Sequence, residues 1–353
     1  MISRRRRILS GLTAFTNITV FDGARFIEHV TVVVRNGRIA SMAAAAAGEP
    51  PDDALPVKGT GRTLLPGSID CHVHLGLHNP RRVLRHGVTT ARDLGWPLEQ
   101  VRALAAVDTG PRLLYAGPML TARGGYPVRA GWAAPGTARE VSSADDARAA
   151  VRDLVSAGAS VVKVAQDPRG PTLDVAELRA IVEEARAAGL GVTTHVGSLE
   201  QLERALDAGI GELAHGLWSD EQIPDATIDR MVVAGVTVVP TLHIDPSPAR
   251  IANTRRFVEA GGTVVYGTDM GNPPTPGGID ADELRLMGEV GTPPDAALAA
   301  ATARAAEHLG LADRGRISPG LLADLIMVKG DPREDLAILA KPLLVMRGGR
   351  AIR

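Results

Sequence analysis

A single cysteine, Cys71, stands in a chain of 353 residues, so no intramolecular disulfide framework braces the fold, and a reducing compartment suits it. Charge of one sign is missing as well. The 39 basic and 40 acidic residues leave a formal net charge of −1, which offers no electrostatic footprint for nucleic acid or an anionic membrane surface. Nor does any stretch reach the roughly 18 uncharged apolar residues that a membrane-spanning helix needs. The opening MISRRRRILSGLTAF has a basic cluster and a few apolar residues, but Ser10, Gly11 and Thr13 interrupt them, and it reads as a disordered basic tail rather than a secretory signal. These absences point to a cytoplasmic enzyme of small molecules, without nucleic-acid or membrane partners and compatible with a homo-oligomer. The chain is long enough for one large domain, alone or with a small one, around an ample apolar core.

The first sixty residues are strand-like, with TNITVFDG followed by HVTVVVRNGRIASM, whose Asn36-Gly37 pair predicts a hairpin turn. AAAAAGEPPDD then reads as a low-complexity surface loop. From residue 64 onward, short β-branched runs alternate with amphipathic helical stretches, the rhythm of a parallel α/β sheet. LLPGSIDCHVH, VTTARDLG, RLLYAG, SVVKVAQ, GVTTHVG, IGELAHG, VTVVPTLHI and TVVYGTDM make eight strands, which suggests a closed (β/α)8 barrel. After a last helix in PDAALAAATARAAEHLG, the segments ADLIMVKG and PLLVMRGGRAI return to strands, so the two termini are expected to share one small β domain. The expected divisions are 1–62, 63–310 and 311–353.

Of nine histidines, four fall near the C-terminal ends of these strands: His72 and His74 on the first, His195 on the fifth and His215 on the sixth. Asp269 ends the eighth. Active sites of a (β/α)8 barrel form at that face, where the loops after the strands converge. His72 and His74 share a strand face because side chains repeat with period two, and paired imidazoles in one barrel mouth suit a metal. Lys163 sits in SVVKVAQ, a run that should be buried on both faces, where an ammonium must be neutralised or paired. Two readings follow from the physics alone. Lys163 pairs with a carboxylate such as Asp269, or its neutral amine takes up carbon dioxide to give a carbamate able to bridge two metals.

With those residues placed, the chain resembles the amidohydrolase superfamily, in particular its binuclear, carbamylated-lysine branch of prolidase-like dipeptidases, zinc carboxypeptidases and imidazolonepropionase relatives. LLPGSIDCHVHLG is similar to that family's His-x-His strand, VVKVAQ to its lysine strand, VTTHVG and GELAHG to its later histidine strands, and VVYGTDMG to its aspartate strand. GRISPGLLADLIMVKGDPRED resembles its closing motif, in which the chain re-enters a β-sandwich built from both ends. The resemblance implies two divalent ions, zinc foremost. His72 and His74 would hold the more buried ion, His195 and His215 the more exposed one, and carbamylated Lys163 and a hydroxide would bridge them. Asp269 would bind the buried ion and shuttle a proton. A hydroxide made available at neutral pH and a carbonyl polarised by a Lewis acid give hydrolysis of an amide, imide or lactone. N-acyl amino acids or dipeptides are the expected substrates.

The chain departs from this branch in two places. LGLHNPRRVLRHG, after His74, is shorter than the helical segment expected there, and the turn after the third strand is ARGGYPVR, with Tyr126 where a histidine is expected. Tyr126 could donate a phenolic hydrogen bond, Arg123 and Arg129 could read a substrate carboxylate, and His243 in PTLHIDP could touch substrate. Alternatives are a lactone or cyclic imide hydrolase, a biosynthetic cyclase or lyase, a mononuclear deaminase, and a scaffold without activity. The deaminase reading wants a glutamate three residues after His195, where Ser198 stands. A scaffold should have lost ligands.

Overall fold

The computed structural model describes residues 11–45 and 50–352. The basic tail expected at the N-terminus, and part of the low-complexity run after Met42, lie outside the described residues. β1 (Leu12–Phe21), β2 (Phe26–Arg35) and β3 (Arg38–Ala44) form an antiparallel meander. Asn36 and Gly37 turn between β2 and β3 with φ of 52° and 81°. Two positive φ values match the right-handed twist of a two-residue hairpin, and asparagine and glycine tolerate them best. β4 (Leu55–Lys58) and β5 (Arg62–Pro66) run parallel to β1.

The run LLPGSIDCHVH, expected to be one strand, is two. Gly67 separates β5 from β6 (Ser68–Val73), and a Cβ at Gly67 would fall 2.3 Å from the Thr89 side chain. β6, β7 (Val88–Asp93) and β8 (Arg112–Tyr115) form a three-stranded parallel sheet. A second parallel sheet contains β9 (Met119–Ala122), β10 (Ala138–Val141), β11 (Val162–Gln166), β12 (Val192–Val196), β13 (Glu212–Leu213), β14 (Thr237–Val238) and β15 (Thr263–Val264). Its order is β10-β9-β11-β12-β13-β14-β15. β9 and β10 are additions to the eight expected strands. Hydrogen bonds link the two sheets at both flanks. Ser160 N donates to Tyr115 O at 2.9 Å, and beyond β15 the chain returns beside β6, with Cys71 N to Tyr266 O at 3.0 Å and Asp269 N to His72 O at 2.8 Å. The result is a parallel, barrel-like α/β arrangement.

Every residue of β6, β7, β11 and β12 is buried, as parallel strands covered on both faces must be. The intervening helices begin at caps legible in the sequence. Ser143 caps Ala144–Ser156, Asp174 and Glu177 form a capping box on Val175–Ala187, and Ser198 accepts from Gln201 N at the start of Leu199–Ala208. Gly209, at φ 80°, ends the last of these. The closing helical run divides into Pro294–Ala300 and Ala303–His308.

β16 (Leu325–Lys329), β17 (Leu344–Arg347) and β18 (Arg350–Ala351) then join the first sheet, whose order is β18-β17-β16-β5-β1-β2-β3. The two ends of the chain therefore share one sheet. Its apolar face, with Phe15, Ile18, Val32, Leu325 and Met346, is a cluster separate from the larger core around the parallel strands. Among the described residues no helix is long and apolar enough to cross a membrane.

Candidate metal centre

The six candidate ligands arrive on five segments of parallel chain. His72 lies in β6 and His74 one residue past it, Lys163 is in β11, His195 in β12, His215 two residues past β13, and Asp269 beyond β15. All six are buried. The His72 ring centroid is 4.7 Å from that of His215 and 5.4 Å from that of His74, and His195 stands 5.1 Å from His215. Asp269 Oδ1 approaches Nε2 of His72 at 3.3 Å and Nε2 of His74 at 3.0 Å. His72, His215 and Asp269 offer ligand atoms within 4.8 Å of one another.

Hydrogen bonds at the far side of each ring fix which nitrogen faces inward. Nδ1 of His72 lies 2.7 Å from Ala214 O, and Nδ1 of His74 lies 3.1 Å from Gly95 O. A carbonyl only accepts, so both Nδ1 atoms carry the proton and both Nε2 atoms present lone pairs. His195 is turned the other way, because its Nε2 faces Asp167 Oδ2 at 3.2 Å and leaves Nδ1 free. Arg169 holds Asp167 in turn through Nε and Nη2, at 2.8 and 2.7 Å. Nδ1 of His215 pairs with Thr241 Oγ1 at 2.7 Å. Each imidazole thus has an outer partner that orients it and an inner nitrogen without one, the usual support of a metal-binding histidine.

His74 Nε2 and Asp269 Oδ1 thus face each other at 3.0 Å, an ion pair when the ring is protonated and two lone-pair donors aimed at one point when it is neutral. His72 Nε2, Lys163 Nζ and Asp269 Oδ1 are shielded from solvent without a hydrogen-bond partner. Burial pushes Lys163 down to about 7, and it also holds His72 and His215 well below the usual imidazole range. For Asp269 burial acts upward, but His72, His74 and Lys163 outweigh it and bring the carboxyl to about 2. Burial likewise opposes a charge on His74, yet Asp269 and Asp93 raise its pKa. Two residues here also have positive φ. Asp269 and Thr241 have φ of 54° and 43°, in the left-handed region that non-glycine residues seldom enter.

Over the cluster lies a cavity of about 350 Å³ whose walls include Tyr126, Trp132, Arg169, Trp218 and Ile244. The chain has only 3 tryptophans and 3 tyrosines, so three of these six side chains in one cavity mark a built apolar wall. Trp132 Nε1 donates to Tyr126 Oη at 3.2 Å, and the Arg169 guanidinium stacks 4.7 Å from the Tyr126 ring centre. Of the substrate residues expected from sequence, Tyr126 is in this wall. Arg123 and Arg129 are exposed, and Arg129 borders a neighbouring cleft with Arg169. His243 borders another hollow, its Nδ1 2.7 Å from Asp280 Oδ2, while the adjacent Ile244 reaches the cavity. Ser198 is occupied as a helix cap. A larger hollow of about 440 Å³ sits at the opposite ends of β11, β12 and β13 and contains none of the six candidate ligands.

Sequence reasoning missed Asp167, Arg169, Trp132 and Trp218. For Asp167 a signal existed, since a carboxylate directly follows the lysine strand, at the end where a site would form. The tryptophans lie in loops, where periodicity carries no information.

Residues 63–352 match a family model described as the amidohydrolase family. Among solved structures, the chain is similar to a prolidase complexed with N-methylphosphonate-L-proline, at 26% identity and TM-score 0.81, covering 96% of this chain and 99% of that one. Ochratoxinase from Aspergillus niger is 25% identical over 366 residues, spanning 82% of this chain and 75% of its own. Imidazolonepropionase from Deinococcus deserti is 33% identical over 169 residues, 46% of this chain and 41% of its own.

Proposed function

The chain belongs to the amidohydrolase family and is a hydrolase acting on C–N bonds, and from that premise we propose that it uses two divalent ions, zinc foremost, to cleave N-acyl amino acids or dipeptides. The proposal includes a closed (β/α)8 barrel over 63–310, with a β-sandwich contributed by 1–62 and 311–353. His72, His74 and Asp269 would hold one ion and His195 and His215 the other, with Lys163, as a carbamate, shared between them. One observation carries this reading: His72 Nε2, Lys163 Nζ and Asp269 Oδ1 are buried without partners. Each unsatisfied buried group costs about 1–3 kcal/mol, so three at one place are a structure awaiting a cation.

When bound, the ions acidify water toward neutrality and polarise the scissile carbonyl. The remaining work falls to the chain. Asp269, as the carboxylate, would take the proton of the attacking water and hand it to the leaving nitrogen. Asp167 fixes the His195 ring through Nε2, so that Nδ1 is the atom available to a metal. Trp132 and Trp218 wall the cavity and limit water around the reacting bond. Arg169, whose side chain is 66% exposed and whose Nη1 has no partner among the described residues, is placed to receive a substrate carboxylate at the rim.

A panel of N-acyl amino acids, dipeptides and lactones, assayed before and after dialysis against a chelator, tests the reading. Amide hydrolysis lost with the metal and restored by zinc is expected. Turnover untouched by chelation, or confined to lactones, would overturn it.

A further inference from the structure

Away from the histidine cluster, four arginines converge on one cleft. Arg81, Arg112, Arg347 and Arg350 line a cavity of about 400 Å³ together with a single carboxylate, Asp108. It lies where the β17–β18 hairpin of the terminal sheet meets the first residue of β8. Arg112 opens β8, whereas the candidate ligands gather beyond the opposite ends of the parallel strands, so the cleft and the candidate metal centre are at opposite ends of the sheet.

The sequence RGGR builds this arrangement. Arg347 and Arg350 are cross-strand partners in the β17–β18 pair, joined by Gly348 and Gly349 at φ 55° and 73°. Like charges directly opposite each other destabilise a hairpin unless something answers them. Asp108 answers in part, through Arg347 Nη1 at 2.9 Å and Arg350 Nη1 at 3.4 Å. Asp324, behind the cleft, takes Arg112 Nε at 3.1 Å and Gly348 N at 2.5 Å. A Cβ on Gly348 would stand 3.2 Å from Arg112 Nη2, so the glycine leaves that guanidinium uncovered.

Donors remain after these contacts. Arg112 makes a hydrogen bond only through Nε and Arg350 only through Nη1, which leaves their other guanidinium nitrogens without protein partners, and Arg81 makes no ion pair among the described residues. Among the described residues, four guanidiniums against two carboxylates leave a local excess of two positive charges, in a chain whose formal net charge is −1. A compact dianion with several acceptor oxygens matches both the charge and the forked donors, which arginine presents in the geometry phosphate accepts. We propose that this cleft binds a phosphate-class dianion, either inorganic phosphate or the phosphoryl group of a phosphomonoester, at the seam between the terminal sheet and the barrel-like body.

Titration calorimetry of the full-length protein at fixed ionic strength tests this, with inorganic phosphate and glycerol 2-phosphate as separate probes. Fixed ionic strength removes general screening as a cause of the heat. Because the metal centre could also take phosphate, the same titrations are run on Lys163→Ala. Arg81 and Arg350 are exposed, so R81Q/R350Q should fold normally, which its melting temperature without ligand checks. Saturable binding of at least one probe is expected in wild type and in Lys163→Ala, weakened about tenfold or more in R81Q/R350Q. Tighter binding of glycerol 2-phosphate would identify a phosphomonoester as the occupant, and tighter binding of inorganic phosphate would identify the free ion. No saturable heat with either probe would overturn the proposal. So would binding that is unchanged in R81Q/R350Q, or binding that disappears in Lys163→Ala and thereby belongs to the metal centre.

Discussion

His74 Nε2 lies 3.0 Å from Asp269 Oδ1, so the segment following the first parallel strand and the segment following the last bring a nitrogen and a carboxylate oxygen to the same point. Asp269→Asn keeps the size of the side chain and one oxygen but removes the base. The chemical step should slow by roughly a hundredfold or more, within or beyond the usual general-base range. Substrate affinity should change far less. Steady-state kinetics beside a direct binding measurement checks this, and near-wild-type turnover would remove Asp269 from proton transfer.

Lys163 offers a second test because its amine must be neutral to take up carbon dioxide. With its pKa lowered to about 7 by burial, the amine is mostly protonated at pH 6 and mostly neutral at pH 8. Reconstitution of chelated protein with zinc and bicarbonate should therefore proceed much further at pH 8 than at pH 6. Lys163→Ala should be inactive at both, and a short carboxylic acid supplied in solution should restore part of the activity. Full activity of Lys163→Ala without that acid would exclude a bridging role.

Much of this centre was legible before any coordinates, and the reason is geometric. In a parallel strand the C-terminal end fixes the place of a side chain, so a histidine or aspartate at the end of an apolar run has an address. His72, His74, His195, His215 and Asp269 could be located in this way, and the alternation of strand and helix located the sheet. The loops carried no such address. ARGGYPVR could be recognised as a turn beside the site, but which arginine enters the cavity depends on how the loops pack. The structure puts Arg169 over Tyr126 and leaves Arg123 in solvent. The division at Gly67 was hidden for a related reason, since two sheets sharing one apolar run look like a single strand until their partners are known.

The packing of Arg169 leads to a substrate test. Arg169→Ala should raise KM for substrates with a free carboxylate by about tenfold or more through loss of a charge-assisted contact, while amidated analogues change little. Arg123→Ala should behave like wild type toward both. Asp167 also depends on Arg169, so a loss of kcat alone in Arg169→Ala, with KM unchanged, would point instead to a disturbed His195.

A stability prediction rests on Glu283, which is buried in the helix Ala281–Glu289, accepts from His243 N at 2.8 Å through Oε2 and leaves Oε1 unpartnered. Burial raises its pKa from 4.5 to about 8. The folded chain therefore holds a proton that the unfolded chain releases across that window. The contribution is complete below about pH 4.5 and is lost as the pH climbs through 8. Glu283→Gln cannot ionise, so it should melt higher than wild type at pH 8.5, by the equivalent of about 1–3 kcal/mol, and match it near pH 4.5. Equal melting temperatures at both pH values would mean that Glu283 is ionised in the folded protein.

The central claim is a two-ion centre bridged by a modified lysine, and elemental analysis of the purified, dialysed protein tests it most directly. Wild type should carry about two divalent ions per chain, mostly zinc, and Lys163→Ala at most about one, because the shared ligand is gone. Wild type holding no more than one ion, with Lys163 unmodified by mass spectrometry under non-acidic conditions, would contradict it.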